Sequence, residues 1–165
     1  MSYVTHLECT ETGASYEAGR PHNLSRAGKP LFVRYDLGAL KNAISKDELA
    51  ARQNGLWRYR EFLPVSRPEN EISLGEVISP LVRLRRLEKK LGVTGELMVK
   101  DESRQPSGSF KARGLGMAVS MAKEFGIKHL AMPTNGNAGS ALAAYATRAG
   151  IRSTVLCPDD TPACH

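Results

Sequence analysis

The chain has 165 residues, 41% of them hydrophobic, and a formal net charge of +6. That length supports one ordinary core and the composition excludes a fibrous or low-complexity protein, while no apolar run approaches the roughly 20 residues of a membrane helix. The start, M-S-Y-V-T-H-L-E-C, carries no basic and apolar leader pattern, and the spread of Cys9, Cys157 and Cys164 fits reduced thiols, so a cytoplasmic location without a membrane partner is expected.

In chain order, residues 31–35 alternate Leu31, Val33 and Tyr35 against Phe32 and Arg34, the period of a strand. Residues 38–71 read as polar and irregular, except that Ser45 and Glu48 form a capping box opening a short helix towards Asn54. Gly55 ends that helix. Trp57, Tyr59 and Phe62 then read as packing residues, and Pro64, Pro68 and Asn70 as a linker.

Leu81, Leu84, Leu87 and Leu91 recur at helical spacing among Arg83, Arg85, Arg86, Lys89 and Lys90. This predicts one amphipathic helix over 81–91, its basic residues on the wet face, ended by Gly92. With no stacking aromatics beside the charge, nucleic acid is not an expected partner. Residues 96–100 read as a strand.

Pro106, Ser107 and Gly108 predict a turn, with Ser109 capping a helix from Phe110 onwards. Lys111 then sits in the first helical turn, where unpaired N–H groups and the helix dipole disfavour its charge and suit it to nucleophile or base chemistry. The helix runs to Phe125. Residues 129–132 predict a buried parallel strand, with His129 structural rather than catalytic. Thr134-Asn135-Gly136-Asn137-Ala138-Gly139-Ser140 follows as a turn opening an Ala-rich helix over 138–149, which aims N–H groups at the place where open α/β sheets bind ligands. A strand over 153–156 leads into Cys157-Pro158-Asp159-Asp160-Thr161-Pro162.

P-S-G-S-F-K-A-R-G around Lys111 and the T-N-G-N-A loop together resemble the lysine and asparagine loops of fold-type II pyridoxal-phosphate (PLP) enzymes, most closely the threonine synthase group. The resemblance implies an α/β fold: part of a three-layer, doubly wound parallel sheet over 74–165, preceded by a linker over 38–73. It further implies a zinc-ribbon-like knuckle over 1–37. Of the knuckle's ligand positions only Cys9 keeps a thiol, with Thr12, Ser25 and Ala27 at the others, so a degenerate, metal-free knuckle is expected. In L-G-E-V-I-S-P-L, Val77 and Ser79 stand where the family has glycine and threonine.

By the same resemblance, Lys111 would bond to the cofactor aldehyde and Asn137 would hydrogen-bond the ring oxygen. Thr134, Asn135, Gly136 and Ala138 would cradle the substrate α-carboxylate. The implied reaction turns O-phosphohomoserine and water into threonine and phosphate, with a homodimer when full length. No G-G-G-x-G-like run for the cofactor phosphate occurs, so a truncated, amino-terminal portion is expected. Threonine dehydratase and cysteine synthase share both loops and remain alternatives, as does a non-catalytic remnant.

Overall fold

A computed structural model describes residues 2–161. The chain divides into two compact units, Met1–Glu71 with Ser120–Lys128, and Ile72–Val119 with His129–His165.

The first unit opens on an antiparallel sheet in the order β2 (Ser15–Tyr16), β1 (Val4–Cys9), β3 (Leu31–Tyr35). β3 forms where the alternation places it, although Phe32 and Val33 are both exposed. Cys9 is buried at the end of β1. Its thiol donates to Ser25 Oγ at 3.1 Å, the Thr12 N–H approaches its sulfur at 3.5 Å, and Ser25 Oγ also accepts from the Lys29 N–H at 3.1 Å. Hydrogen bonding with Ser25 and Thr12 holds the thiol down to about 7. Among the described residues no cluster of His, Cys, Asp or Glu is arranged to hold a metal ion.

Helix α1 (Leu37–Ala43) was not expected; Asp36 caps it by accepting from the Ala39 N–H at 2.8 Å. Helix α2 (Lys46–Ala51) has the expected reciprocal Ser45–Glu48 box but stops before Asn54. A 3-10 segment, Leu56–Phe62, carries the aromatic cluster. Tyr59 and Phe62 are exposed in this chain and so lie outside its own core; the Arg58 guanidinium lies 5.4 Å from the Tyr59 ring centre. The linker is pinned in turn by Glu124, whose carboxylate accepts from Ser66 N–H at 3.1 Å and Asn70 Nδ2 at 2.8 Å.

In the second unit the helix predicted over 81–91 is replaced by strand β4 (Leu81–Arg83) and helix α3 (Arg85–Leu91). β4 pairs antiparallel with β5 (Met98–Lys100), Val82 opposite Val99. The leucine spacing misled because Glu88, not the leucines, faces inward: it is buried and accepts from Arg83 Nε at 3.0 Å and the Leu97 N–H at 2.7 Å, while Leu81, Leu87 and Leu91 are exposed. An ion pair and a backbone bond hold the hairpin in a shape that helical periodicity cannot anticipate.

Helix α4 (Lys111–Glu124) follows two short 3-10 turns, Glu102–Arg104 and Pro106–Gly108. Then come β6 (His129–Pro133), α5 (Asn137–Ala149) and β7 (Arg152–Leu156), a right-sized strand–helix–strand unit with parallel pairing in register from His129↔Arg152 to Pro133↔Leu156. β6 was expected to be buried, yet its residues alternate between exposed and half-buried. His129 is exposed, with Nε2 lying 2.8 Å from Thr154 Oγ1. The core of this unit is built from Ala112, Leu115 and Val119 of α4 and Ala141, Leu142 and Tyr145 of α5. Gly116 lets the helices meet, since an added Cβ would lie 3.0 Å from Tyr145 Cε1.

Candidate active site

Thr134 to Ala138 occupy the carboxyl end of β6 and the start of α5, as the sequence pattern requires. The Thr134 N–H donates to Leu156 O at 2.9 Å, carrying the strand pairing one step past β6. Its hydroxyl accepts from the Gly136 N–H at 3.3 Å, closing the turn from within. Gly136 caps α5 without a side-chain bond, so Asn137, exposed, is the first helical residue and the helix start remains open to an anion.

Gly139 is required here by space. A Cβ on it would lie 2.7 Å from Thr134 Cγ2 and 2.8 Å from Val155 Cγ1. Thr134, Gly136, Gly139, Ser140, Val155 and Thr161 line a cleft of about 170 Å³. Pockets for whole small molecules run from roughly 300 Å³ upwards, so this cleft is sized for one functional group.

Lys111 is the first residue of α4 and half-buried. Its Nζ lies over the Phe110 ring, 4.3 Å from the centroid, and makes no ion pair or hydrogen bond among the described residues. Ser109, expected as a side-chain cap, contributes its carbonyl instead, accepting from the Ala112 N–H at 3.2 Å; its hydroxyl is buried without a partner. Ser107 Oγ and Gln105 Oε1 are buried and unpartnered too. Three unsatisfied polar atoms within five residues are an unusual concentration beside a free amine. The Pro106–Gly108 turn packs directly on α5, which brings the lysine segment alongside the helix that Asn137 begins.

A network that the sequence reading missed supports this segment. Arg113 donates from Nε to Glu102 Oε2 at 2.6 Å and from its Nη2 to Ser79 Oγ at 2.8 Å and Glu102 Oε1 at 3.0 Å. Ser79 donates to Glu102, and Gln105 Nε2 donates to Val77 O at 2.8 Å and to Ser79 Oγ at 3.1 Å. Ser79 and Gln105 are both buried. The Arg113 guanidinium holds Glu102 down to about 2. Arg113 stood in the quoted K-A-R-G string, but its partners lie at separations of 11 and 34 residues, which no local pattern announces. Val77 takes the family's glycine position without strain: the left-handed backbone of this loop sits at Gly75, at φ 85°.

Together these features define an α/β protein in which a lysine-bearing turn packs on the helix of a parallel strand–helix–strand unit. The family model described as "Pyridoxal-phosphate dependent enzyme" matches residues 72–164. The chain belongs to that family. It is 38% identical over 151 residues to the threonine synthase of Methanocaldococcus jannaschii, covering 92% of this chain and 37% of that protein. With the threonine synthase of Methanosarcina acetivorans it shares 36% identity over 154 residues, covering 93% and 37%, and with that of Halalkalibacterium halodurans 44% over 104 residues, covering 63% and 29%. The chain therefore spans little more than a third of the length of the first two relatives. Among the described residues no helix is long and apolar enough to cross a membrane.

The residues present fit the ring end of pyridoxal phosphate. A half-buried amine without an acidic partner is available to an aldehyde, the turn that precedes it carries unpartnered buried hydroxyls at Ser107 and Ser109, and the uncapped start of α5 suits an anionic group.

Proposed function

We propose that this chain is the lysine- and asparagine-bearing portion of a threonine synthase-like lyase that converts O-phosphohomoserine and water to threonine and phosphate. The observation that carries the reading is the unpaired Lys111 amine at the head of α4, beside the turn that packs on α5. Lys111 would hold the cofactor through its aldehyde carbon and Asn137 would hydrogen-bond the ring oxygen. Thr134, Asn135, Gly136 and Ala138 would receive the substrate α-carboxylate, with the start of α5 stabilising its charge. When bound, pyridoxal phosphate supplies an electron-withdrawing ring that makes the neighbouring substrate carbons acidic. The Lys111 amine would take and return protons at the substrate's α and β carbons.

The proposal includes the wider architecture: a metal-free knuckle over 1–37, a connecting segment over 38–73, and over 74–165 part of a three-layer doubly wound domain. The whole enzyme would be a cytoplasmic homodimer. Trapping pyridoxal phosphate with borohydride and mapping the adduct tests the site; labelling confined to Lys111 supports it, and labelling spread evenly over the lysines refutes it. In a polypeptide extended to the length of the relatives, phosphate release from O-phosphohomoserine supports the synthase, whereas ammonia release from threonine assigns a dehydratase instead.

A further inference from the structure

The lysine turn is pinned at both ends to the same two atoms. Before it, Gln105 Nε2 donates to Ser79 Oγ and Val77 O; after it, Arg113 Nη2 donates to Ser79 Oγ at 2.8 Å and reaches Val77 O at 3.5 Å. Between the pins the backbone turns left-handed twice in succession, at Ser107 (φ 65°) and Gly108 (φ 67°). A serine holds such a conformation only where its surroundings over-determine it. The Ser79 hydroxyl is the common point, 2% exposed; it donates a hydrogen bond to Glu102, which also grips Arg113 through both carboxylate oxygens.

We infer that Arg113 and Ser79 are positioning residues for Lys111: the shared hydroxyl closes the turn into a rigid loop, and that loop aims the amine. The inference rests on the reading of Lys111 as the cofactor-bonding lysine and adds what places it. Neither residue needs to touch the cofactor. Arginine is specified because the role demands a fork that serves a carboxylate and a hydroxyl together, which a single ammonium cannot do.

The test is site selectivity. The chain is treated with pyridoxal phosphate and borohydride, and adducts at Lys111 and at Lys123, on the same helix, are compared by mass spectrometry with the ratio in urea, where geometry is lost. The wild-type chain should favour Lys111 over the urea ratio. Ser79→Ala and Arg113→Gln should each lose that preference on the order of tenfold, the scale on which small misplacements act, with far-UV circular dichroism unchanged. Ser79→Thr, which keeps the hydroxyl, should restore it. If the wild type prefers Lys111 and Ser79→Ala keeps the preference, the positioning role is overturned while the site reading stands. Absence of any wild-type preference overturns both. Should Arg113→Gln unfold, the Ser79→Ala and Ser79→Thr pair decides.

Discussion

Tyr145 donates its hydroxyl hydrogen to Glu76 across 69 residues of sequence, and both side chains are buried. Burial pushes the Glu76 carboxyl up, but hydrogen bonds from Ser73, Tyr145 and the Leu74 N–H outweigh it and leave Glu76 below the ordinary range. Burial and the neighbouring Glu76 charge push Tyr145 up. Tyr145→Phe removes one donor from a carboxylate that stays buried, and should destabilise the fold by about 1–3 kcal/mol in urea titration. Combining it with Glu76→Leu should cost less than the sum of the single changes, because no orphaned charge is left.

Gly139→Ala should be costly for a different reason. The added methyl collides with Thr134 and Val155, both from strand ends whose positions are fixed by pairing. A loss of about 1–3 kcal/mol is expected, measured by the denaturation midpoint. Gly116→Ala meets the buried Tyr145 ring at 3.0 Å but gains helix propensity worth up to about 1 kcal/mol, so its net cost should be smaller than that of Gly139→Ala.

Acid stability should depend on Glu102. Its folded value of about 2 lies below the ordinary 4.5, so the unfolded state binds the proton more readily. The contribution is therefore complete above about 4.5, declines as pH falls below it, and is gone once pH drops through about 2. Glu102→Gln should flatten that part of the stability profile, read as melting temperature against pH between these values.

What the sequence disclosed divides along a physical line. The Ser45 capping box, the parallel β6–α5–β7 unit and the placing of Lys111 at a helix start were legible because each depends on neighbours within a few residues. The β4–α3 hairpin was not, because its deciding contact is Arg83 with Glu88 and its leucines point outwards. Helix α1 was overlooked although its signal was local, an Asp36 three residues ahead of Ala39. The place of Thr134 to Ala138, between the end of β6 and the start of α5, could be read from the string alone. The Ser79–Glu102–Arg113 lattice could not, since it joins segments separated by up to 34 residues.

Cysteine alkylation should follow access rather than acidity. The Cys9 thiol is held down to about 7 but is only 2% exposed, whereas Cys157 is open to solvent. Iodoacetamide should modify Cys157 within minutes and Cys9 only as the chain unfolds, with mass spectrometry following each site. Exchange of Ser25 for alanine should raise the Cys9 value, since that hydroxyl is the leading cause of its depression.

The Thr134 hydroxyl that closes the asparagine turn also bears on how the protein ages. Asn135-Gly136 is the dipeptide most given to cyclise into a succinimide, a reaction in which the glycine nitrogen attacks the asparagine amide carbon. That nitrogen's hydrogen is directed at Thr134 Oγ1, 3.3 Å away. The turn thereby shields its own asparagine from isoaspartate formation, and a stored sample in which Thr134 is replaced by valine would accumulate that lesion sooner.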